Sequence, residues 1–516
     1  MKPRILGRQQ DGGGRGRGLG NALIWIAPLT GLVLALALIP YQVDDAYISY
    51  RYAHNVAGGG GLAFNPGGAA VEGFSSPLWL MLLSAWAIVV PMPVLPFIGT
   101  ALGLLAFLGL LLVVLRACRS EPAPARGLAV LLLAVWPGAV FYAATGMETL
   151  LFVLCVTAFH LAALEMVPER AGLAAAFLSF WIRPEALWLP VALLLSVIPL
   201  GGWRSLFSRR TLRLIAALLA GGALLAALRW LLFAELLPNT FYAKLPDPGA
   251  GLRYVAGFAS GAPGVLLLLL AFLGAWFGGL RHRSLALAGL AWMIAPALEG
   301  GDWMPHYRFL IPAVVLLTLA ALGAARVPRK PVRWVAACLV LVAAGVLVRQ
   351  DRSMARQVQH SYDTQFAREL AIARWAREHE VGSLASVDIG AMGYYSQAMI
   401  VDVVGLTDRR VSRSAGGHLD KRFDLDYIFA ERRPEAVILR SSIRPVIENG
   451  QLLRCRPGSL IEIRILLDPR LQRDYRLAMS MEVANEPRQS KLLFLRRDHP
   501  SARNLAGVSR MMFGSP

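Results

Sequence analysis

Two adjacent carboxylates, Asp44 and Asp45, follow the first long apolar run of the chain in the stretch VDDAYISYRYAHN. A carboxylate in such a loop can take a proton from a hydroxyl group, which is the task of a general base. In simpler interpretations both are solvated loop charges, or one caps the helix predicted over 46–57. We predict one cap and one catalytic base. Because Asp45 lies nearer the helix, the sequence favours Asp44 as the base.

Further charged residues are scattered through the loops that we place on the same side of a membrane. An isolated cation can bind a phosphate and stabilise it as a leaving group, and aromatic rings beside it can stack on sugars. The pattern therefore predicts sugar transfer from a lipid-linked phosphate donor. The candidate donor-phosphate and substrate residues are Arg51, Arg183, Glu185, Lys244, Asp302, His306 and Arg308.

Several of these residues also have simpler explanations. Arg183 and Glu185 could pair with each other, and a lone histidine such as His306 is more often hydrogen-bonded than a ligand. Thr145 and Glu148 have the spacing of a capping box, which would explain Glu148 without a functional role. The sequence contains no HExxH, CxxC or Cys/His cluster. It therefore predicts no metal site and no cofactor, and leaves a divalent cation open.

The composition indicates the class of protein that positions these residues. Of the 516 residues, 56% are hydrophobic and only 16% are charged, and the mean hydropathy is +0.52. These values are typical of a polytopic membrane protein rather than a soluble one. The net charge of +19 needs no nucleic-acid partner, because the basic residues collect in short loops between apolar runs.

The apolar runs divide the chain into three parts. Residues 1–21 are rich in Gly and Arg and are predicted to be a disordered cytoplasmic tail. Residues 22–349 hold apolar runs for about nine to eleven membrane spans, each needing roughly 20 residues, with a long loop at 41–93. Residues 350–516 are more polar and alternate helical and strand patterns, which predicts a soluble α/β domain.

The loop charges predict the orientation in the cytoplasmic membrane. Lys and Arg concentrate on the side of the N-terminus, whereas the acidic residues of 22–349 lie mainly on the other side. The positive-inside rule then places the N-terminus in the cytoplasm and the C-terminal domain outside the cytoplasm. The run at 171–199 is interrupted by proline in RPEALW. We predict two short helices there, which leave the orientation of the other spans unchanged.

A series of motifs resembles a known family. VDDAYISYRYAHN, TGMETLLF, RPEALW, LPNTFYAK, GGDWMPHYRFLIP and DIGAMGYYSQAMIVDVVGLTD occur in this order. The series resembles the GT-C superfamily of polytopic glycosyltransferases, and within it the bacterial terminal arabinofuranosyltransferases and their relatives, over residues 22–410. The resemblance implies a GT-C membrane domain with a periplasmic C-terminal domain, the catalytic acidic pair at Asp44 and Asp45, and a polyprenyl-phosphate sugar donor.

The function predicted from these observations is transfer of a sugar, with arabinofuranose as a candidate, to a cell-envelope glycan or glycoprotein acceptor. Lys244, Arg183 and Arg308 are the cations expected to hold the donor phosphate. One alternative is a polytopic transporter or flippase for a lipid-linked sugar, which would call for charges at matching positions of two repeated halves. Another is a scaffold whose outer domain binds a partner and in which the aspartates are dispensable.

Overall fold

The computed structural model describes residues 13–244, 246–483, 490–503 and 508–513. Its first two-thirds are helical. Residues 1–12 of the predicted tail lie outside the described residues, and the first helix begins nine residues before the predicted start at 22. The helices of this part are α1 (Gly13–Leu36), α2 (Asp44–Ala57), α3 (Pro77–Ala87), α4 (Leu95–Ala117), α5 (Ala123–Ala134), α6 (Pro137–Ala144), α7 (Thr149–Ala163), α8 (Glu169–Ile182), α9 (Leu189–Gly201), α10 (Arg209–Phe233), α11 (Asn239–Ala243), α12 (Pro248–Ser260), α13 (Ala262–Phe277), α14 (Leu280–Trp292), α15 (Ile294–Glu299), α16 (Ile311–Ala321) and α17 (Lys330–Ser361).

Many of these helices are apolar enough to cross a membrane. Among the described residues, five helical segments have the length and composition of a span, and the number rises to seven if α5–α6 and α12–α13 each form one bent span. Three further apolar helices have only 10–17 residues. The predicted nine to eleven spans are therefore reached only if such short helices also cross. Prolines explain the interruptions, because Pro137 begins α6 and Pro263 lies in the first turn of α13.

The prolines also break the run at 171–199 as predicted. Helix α8 ends at Ile182, and Pro184–Trp188 forms a short 3-10 helix before α9. Proline lacks the N–H that an α-helix would need and disfavours a helical conformation in the residue before it. Arg183 accordingly has an extended backbone. The break places its side chain at the end of two helices rather than along one.

The C-terminal part is the predicted α/β region. Its sheet has six strands in the order β2-β1-β3-β7-β6-β8 and is mixed: β1 pairs in parallel with β2 and β3, while β7 is antiparallel to β3 and β6. A separate hairpin pairs β4 with β5. The strands are β1 (Ser383–Ser386), β2 (Met399–Asp402), β3 (Ala436–Ser441), β4 (Val446–Glu448), β5 (Gln451–Arg454), β6 (Tyr475–Val483), β7 (Ser490–Arg496) and β8 (Ser509–Phe513). The helices are α18 (Ala367–Glu378), α19 (Ala391–Ser396), α20 (Arg409–Ser412), α21 (Leu460–Leu467), α22 (Pro469–Asp474) and α23 (Pro500–Arg503).

The two parts share one hydrophobic core. Tyr47 and Tyr50 of α2 belong to the same buried cluster as Met392 and Tyr394 of α19. Helix α17 runs without interruption across the predicted boundary at 349/350 and continues through a π-helical turn at Tyr362–Phe366 into α18. The loop at 41–93 is thus held between the helices and the sheet.

Candidate active site

The two aspartates of the first loop have different surroundings, and neither caps its own helix. Val43 occupies the N-cap position of α2, and the aspartates lie in the first turn. The Asp44 carboxylate instead accepts hydrogen bonds from the backbone N–H groups of Gly390 (3.0 Å) and Ala391 (2.8 Å) at the start of α19. The predicted cap on α2 is therefore wrong. Asp44 ties the first loop to the α/β part.

Close approach at this contact requires glycine. A Cβ atom on Gly390 would lie 2.0 Å from the backbone oxygen of Asp44 and 2.6 Å from its carboxylate. We expect Gly390→Ala to lower the free energy of unfolding by about 1–3 kcal/mol, as overpacking of a well-packed site does. Thermal unfolding in detergent measures the change. Gly345→Ala in α17, where a new Cβ meets no atom within 4 Å, is the control and should leave the stability equal or higher. Equal stability of the two variants would contradict this view of the contact.

Asp45 is the aspartate that is left free. Among the described residues no group donates a hydrogen bond to it, and it is half-buried. Burial raises the pKa of Asp45; the cations Lys244 and Arg308 lower it, and the carboxylates of Asp302 and Glu148 raise it further. The four charged side chains therefore lie near enough to act on the Asp45 carboxylate, although Arg308 pairs with Asp302 rather than with Asp45. A free carboxylate beside two cations fits a base placed next to an anion site.

Arg183 is paired, as the simpler interpretation of RPEALW predicted. Its guanidinium contacts Glu148 at 2.5 Å and forms a two-pronged contact with Glu185 at 2.7 and 3.0 Å. The predicted capping box is absent, because Glu148 turns to Arg183 and the hydroxyl of Thr145 has no hydrogen-bond partner in the described part of the chain. Glu148 thus belongs to a group that we call the charged cluster, which its spacing from Thr145 does not indicate. The members of the cluster are Asp45, Glu148, Arg183, Glu185, Lys244, Asp302 and Arg308.

Arg308 is held by Asp302 at 2.7 Å, and both side chains are buried. The ring of Phe309 contacts two guanidinium groups, those of Arg183 and Arg308, each 4.9 Å from its centroid. The two residues before Arg308 have left-handed backbones (φ of 63° and 52°), a strained conformation for residues other than glycine that is often found at functional sites. The strain turns the loop so that Arg308 points back to Asp302.

His306 supplies no charge at neutral pH. Burial lowers the pKa of His306 to about 4. Its ring lies 5.1 Å from that of Phe141, and the backbone oxygen of the neighbouring Pro305 accepts a hydrogen bond from Tyr142. The structure therefore shows His306 as a neutral packing group at the edge of the cluster.

Lys244 is the most available cation of the predicted set. It follows α11 directly, its side chain is exposed, and it pairs with no carboxylate among the described residues. The helix before it is anchored, because the Asn239 side chain donates to the backbone oxygens of Gly405 (2.8 Å) and Leu406 (2.9 Å). An anchored helix that ends in a free ammonium group suits the binding of a phosphate.

The side chain of Arg51 is hydrogen-bonded to the first loop and to the α/β part. Its Nε donates to the backbone oxygen of Phe64 (2.7 Å), and its two terminal nitrogens donate to the backbone oxygens of Gly393 and Ala398 and to the side chain of Asn65. These bonds use four of the five N–H groups of the guanidinium, and the side chain is buried. We therefore leave Arg51 out of the donor site and assign it to holding the loop against the α/β part.

One pair of residues in this region was missed from the sequence. Glu72 of the first loop and Arg229 of α10 form a buried pair with nitrogen–oxygen distances of 2.8–3.0 Å. The signal was present, because a charged residue within an apolar span is rare and has a partner or a function. Arg229 lies in the run AALRWLLF, and hydropathy alone predicts this run as part of a span although it contains a charge.

No metal site is visible in the described ranges, where no three His, Cys, Asp or Glu side chains come close enough together to hold an ion. The carboxylates of Glu148 and Glu185 pair with Arg183, and that of Asp302 pairs with Arg308. The divalent cation that the sequence left open stays a prediction.

The comparisons with known proteins bear on the fold. A family model described as a domain of unknown function (DUF8728) matches residues 354–498, which is the α/β part. No curated protein matches the sequence. The chain is similar in structure to ArnT from Cupriavidus metallidurans in the apo state, with a TM-score of 0.56 and 12% identity over 92% of this chain and 98% of that one.

Two other solved structures are also similar. Arabinofuranosyltransferase AftD from Mycobacteria has a TM-score of 0.51 and 15% identity over 92% of this chain, which spans only 40% of AftD. The oligosaccharyltransferase of Archaeoglobus fulgidus has a TM-score of 0.50 and 13% identity over 82% of this chain and 69% of that one. The chain therefore is a membrane protein with the GT-C fold, as the motif series predicted.

Proposed function

We propose that the chain is a glycosyltransferase that moves a sugar from a polyprenyl-phosphate donor to a hydroxyl of a cell-envelope glycan or glycoprotein. The observation that carries the proposal is the free carboxylate of Asp45 amid the cations Lys244 and Arg308. We place the reaction at the outer face of the cytoplasmic membrane, with the N-terminus in the cytoplasm and the α/β part outside it. Arabinofuranose is the candidate sugar.

The proposed reaction needs three tasks. The Asp45 carboxylate takes the proton of the acceptor hydroxyl as its oxygen forms a bond to the anomeric carbon of the donor sugar. The bond between that carbon and the phosphate oxygen breaks, and the polyprenyl phosphate leaves with the electron pair. Lys244 binds the phosphate, and Arg308, held by Asp302, adds positive charge that stabilises the leaving group.

Geometry favours Asp45 over Asp44 as the base. Burial raises the pKa of Asp44 to about 7, with Glu369 and Asp388 adding to the shift, and such a pKa would suit a base at neutral pH. However, both Asp44 oxygens accept backbone N–H groups, and a base must first reach the proton that it removes. In the described part of the chain no group donates to the Asp45 carboxylate, which leaves its oxygens available to a hydroxyl.

The similar structures support the kind of reaction by analogy. AftD is by name an arabinofuranosyltransferase, and the Archaeoglobus protein an oligosaccharyltransferase. A shared fold alone does not fix an activity, so the charged cluster carries the proposal. The test is to incubate membranes containing the full chain with labelled polyprenyl-phosphate pentoses and hexoses and to follow label in the glycan fraction. Label transferred from none of the donors would contradict the proposal.

The role of Lys244 predicts a defect in donor binding. A hydrogen bond to a charged group contributes about 1.5–3 kcal/mol, so we expect Lys244→Ala to raise the KM for the donor roughly ten- to a hundredfold. Lys244→Arg keeps the charge and should retain most of the affinity. Steady-state transfer rates at varied donor concentration measure both. A Lys244→Ala variant with an unchanged donor KM would remove this residue from the phosphate site.

The role of Asp45 predicts the pH dependence. A base acts in its ionised form, and the pKa of Asp45 is raised by burial. The transfer rate should therefore fall as the pH drops through this raised pKa, at a higher pH than for an ordinary aspartate. Transfer rates across the acidic range, measured with saturating donor, give the profile. The same acidic limb should persist in Asp44→Asn, and its loss there would point to Asp44 instead.

A further inference from the structure

A cavity lies next to the first loop, and its lining contains neither Asp45 nor the cations that act on it. It has a volume of about 280 Å³, close to the lower end of small-molecule sites, roughly 300 Å³. Its walls come from α2, from the start of α4 and the segment before it, from the turn between α17 and α18, and from α18 itself. The lining includes Tyr47, Phe97, Tyr362, Phe366, Arg374 and Arg377.

Aromatic rings form one wall of this cavity. Tyr47 and Phe366 are stacked with centroids 5.6 Å apart, and Phe366 and Tyr362 with centroids 5.0 Å apart. The Tyr362–Phe366 segment is a π-helical turn, a local distortion often found at functional sites. Flat ring faces suit the stacking of a sugar-like ring.

Two arginines give the cavity positive charge. Arg374 and Arg377 lie three residues apart on α18 and line the cavity. Both are exposed, and within the described ranges neither is paired with a carboxylate. Guanidinium groups bind phosphate with two parallel hydrogen bonds. A ring-faced cavity with two unpaired arginines therefore fits a sugar-like ring that carries a phosphate.

The cavity opens beside the membrane part. Phe97, in the first turn of α4, is 52% exposed, and α4 belongs to a candidate span, Met92–Ala117. A lipid chain attached to the phosphate could thus remain in the bilayer next to α4. The same cavity is too small for a long glycan, so it would hold only the head of such a molecule.

We propose that this cavity binds the acceptor through a lipid-linked, phosphate-bearing ring. The inference rests on the proposed function, because it supplies the second substrate of that reaction. Tyr47 lies three residues from Asp44 on α2, hence on the same face of the helix, whereas Lys244 and Arg308 act on Asp45. Asp45 follows Asp44 directly, so the first turn of α2 lies between the cavity and these cations, and an acceptor in the cavity meets a donor held by the cations at the Asp45 carboxylate.

Binding of phosphatidylinositol, which carries a phosphate beside a polyol ring on a lipid, tests the proposal. The full chain in nanodiscs of phosphatidylcholine is titrated with labelled phosphatidylinositol or labelled phosphatidylcholine. We expect preferential binding of phosphatidylinositol, and at least a tenfold loss in the double variant Arg374→Gln/Arg377→Gln. Tyr362→Leu, which keeps apolar bulk without a ring, should weaken binding several-fold.

The control is Arg352→Gln/Arg356→Gln, which removes two exposed arginines of α17 that do not line the cavity; binding should not change. Equal binding of both lipids, or equal loss in both double variants, would overturn the proposal. Polyprenyl phosphate is titrated as a separate arm. If Arg374→Gln/Arg377→Gln weakens its binding as much, the cavity holds the donor instead. Because no arm requires turnover, failure here leaves the transfer reaction to its own test.

Discussion

Asp45→Asn should lower the rate constant of transfer roughly 100- to 10,000-fold, the range by which a positioned general base accelerates a reaction. The amide has nearly the same shape as the carboxylate but cannot accept the proton of the acceptor hydroxyl. Donor binding should change little, because the phosphate is assigned to Lys244 and Arg308. Transfer kinetics in membranes with matched amounts of protein measure the rate constant and the donor KM separately.

Asp44→Asn is the paired comparison for this prediction. The amide keeps one oxygen that can accept from the backbone of Gly390 or Ala391, but its NH₂ group faces the other N–H. We expect a loss of stability of about 1–3 kcal/mol from the unsatisfied donor, with transfer retained in the folded fraction. If Asp44→Asn abolished transfer at full stability while Asp45→Asn remained active, the assignment of the base would be reversed.

The sequence could place the acidic pair but could not assign its members. An apolar run, a polar loop and a helical pattern are local features, and they were enough to single out the pair. The partner of Asp44 is 346 residues away in the chain. Nearness to α2 suggested Asp45 as the capping residue, but a contact between the two parts of the fold occupies Asp44. Local spacing carries no information about such a contact.

The same reason explains the cations. Arg51, Arg183, Lys244 and Arg308 look alike in the sequence as single charges in loops, yet only Lys244 pairs with no carboxylate and makes no backbone contact in the described structure. Arg183 and Arg308 pair with carboxylates, and Arg51 donates hydrogen bonds to backbone oxygens. Features that depend on neighbours along the chain were predicted well: the break at RPEALW and the mixture of helices and strands after residue 350 follow from proline and from runs of apolar residues.

The largest loss of stability is expected from the pair that fastens the first loop to α10. Glu72→Ala leaves the guanidinium of Arg229 buried without its partner, and breaking a buried pair in this way costs about 3–5 kcal/mol. Transfer should fall as well, because the loop that carries Asp45 is then held less firmly. Thermal unfolding in detergent and transfer assays of the same preparation measure the two effects.

Two further variants distinguish the pair from a general sensitivity to lost charge. Glu165→Ala breaks the pair with Arg210, in which the glutamate side chain is 67% exposed, and exposed pairs contribute only about 0–1 kcal/mol. Glu72→Leu/Arg229→Leu removes both buried charges and should recover most of the stability that Glu72→Ala loses, since apolar side chains can replace a buried pair. Equal losses in Glu72→Ala and Glu165→Ala would mean that the loop is held by its hydrophobic contacts and by Arg51. Recovery in the double variant without recovery of transfer would show that the pair also sets the position of Asp45.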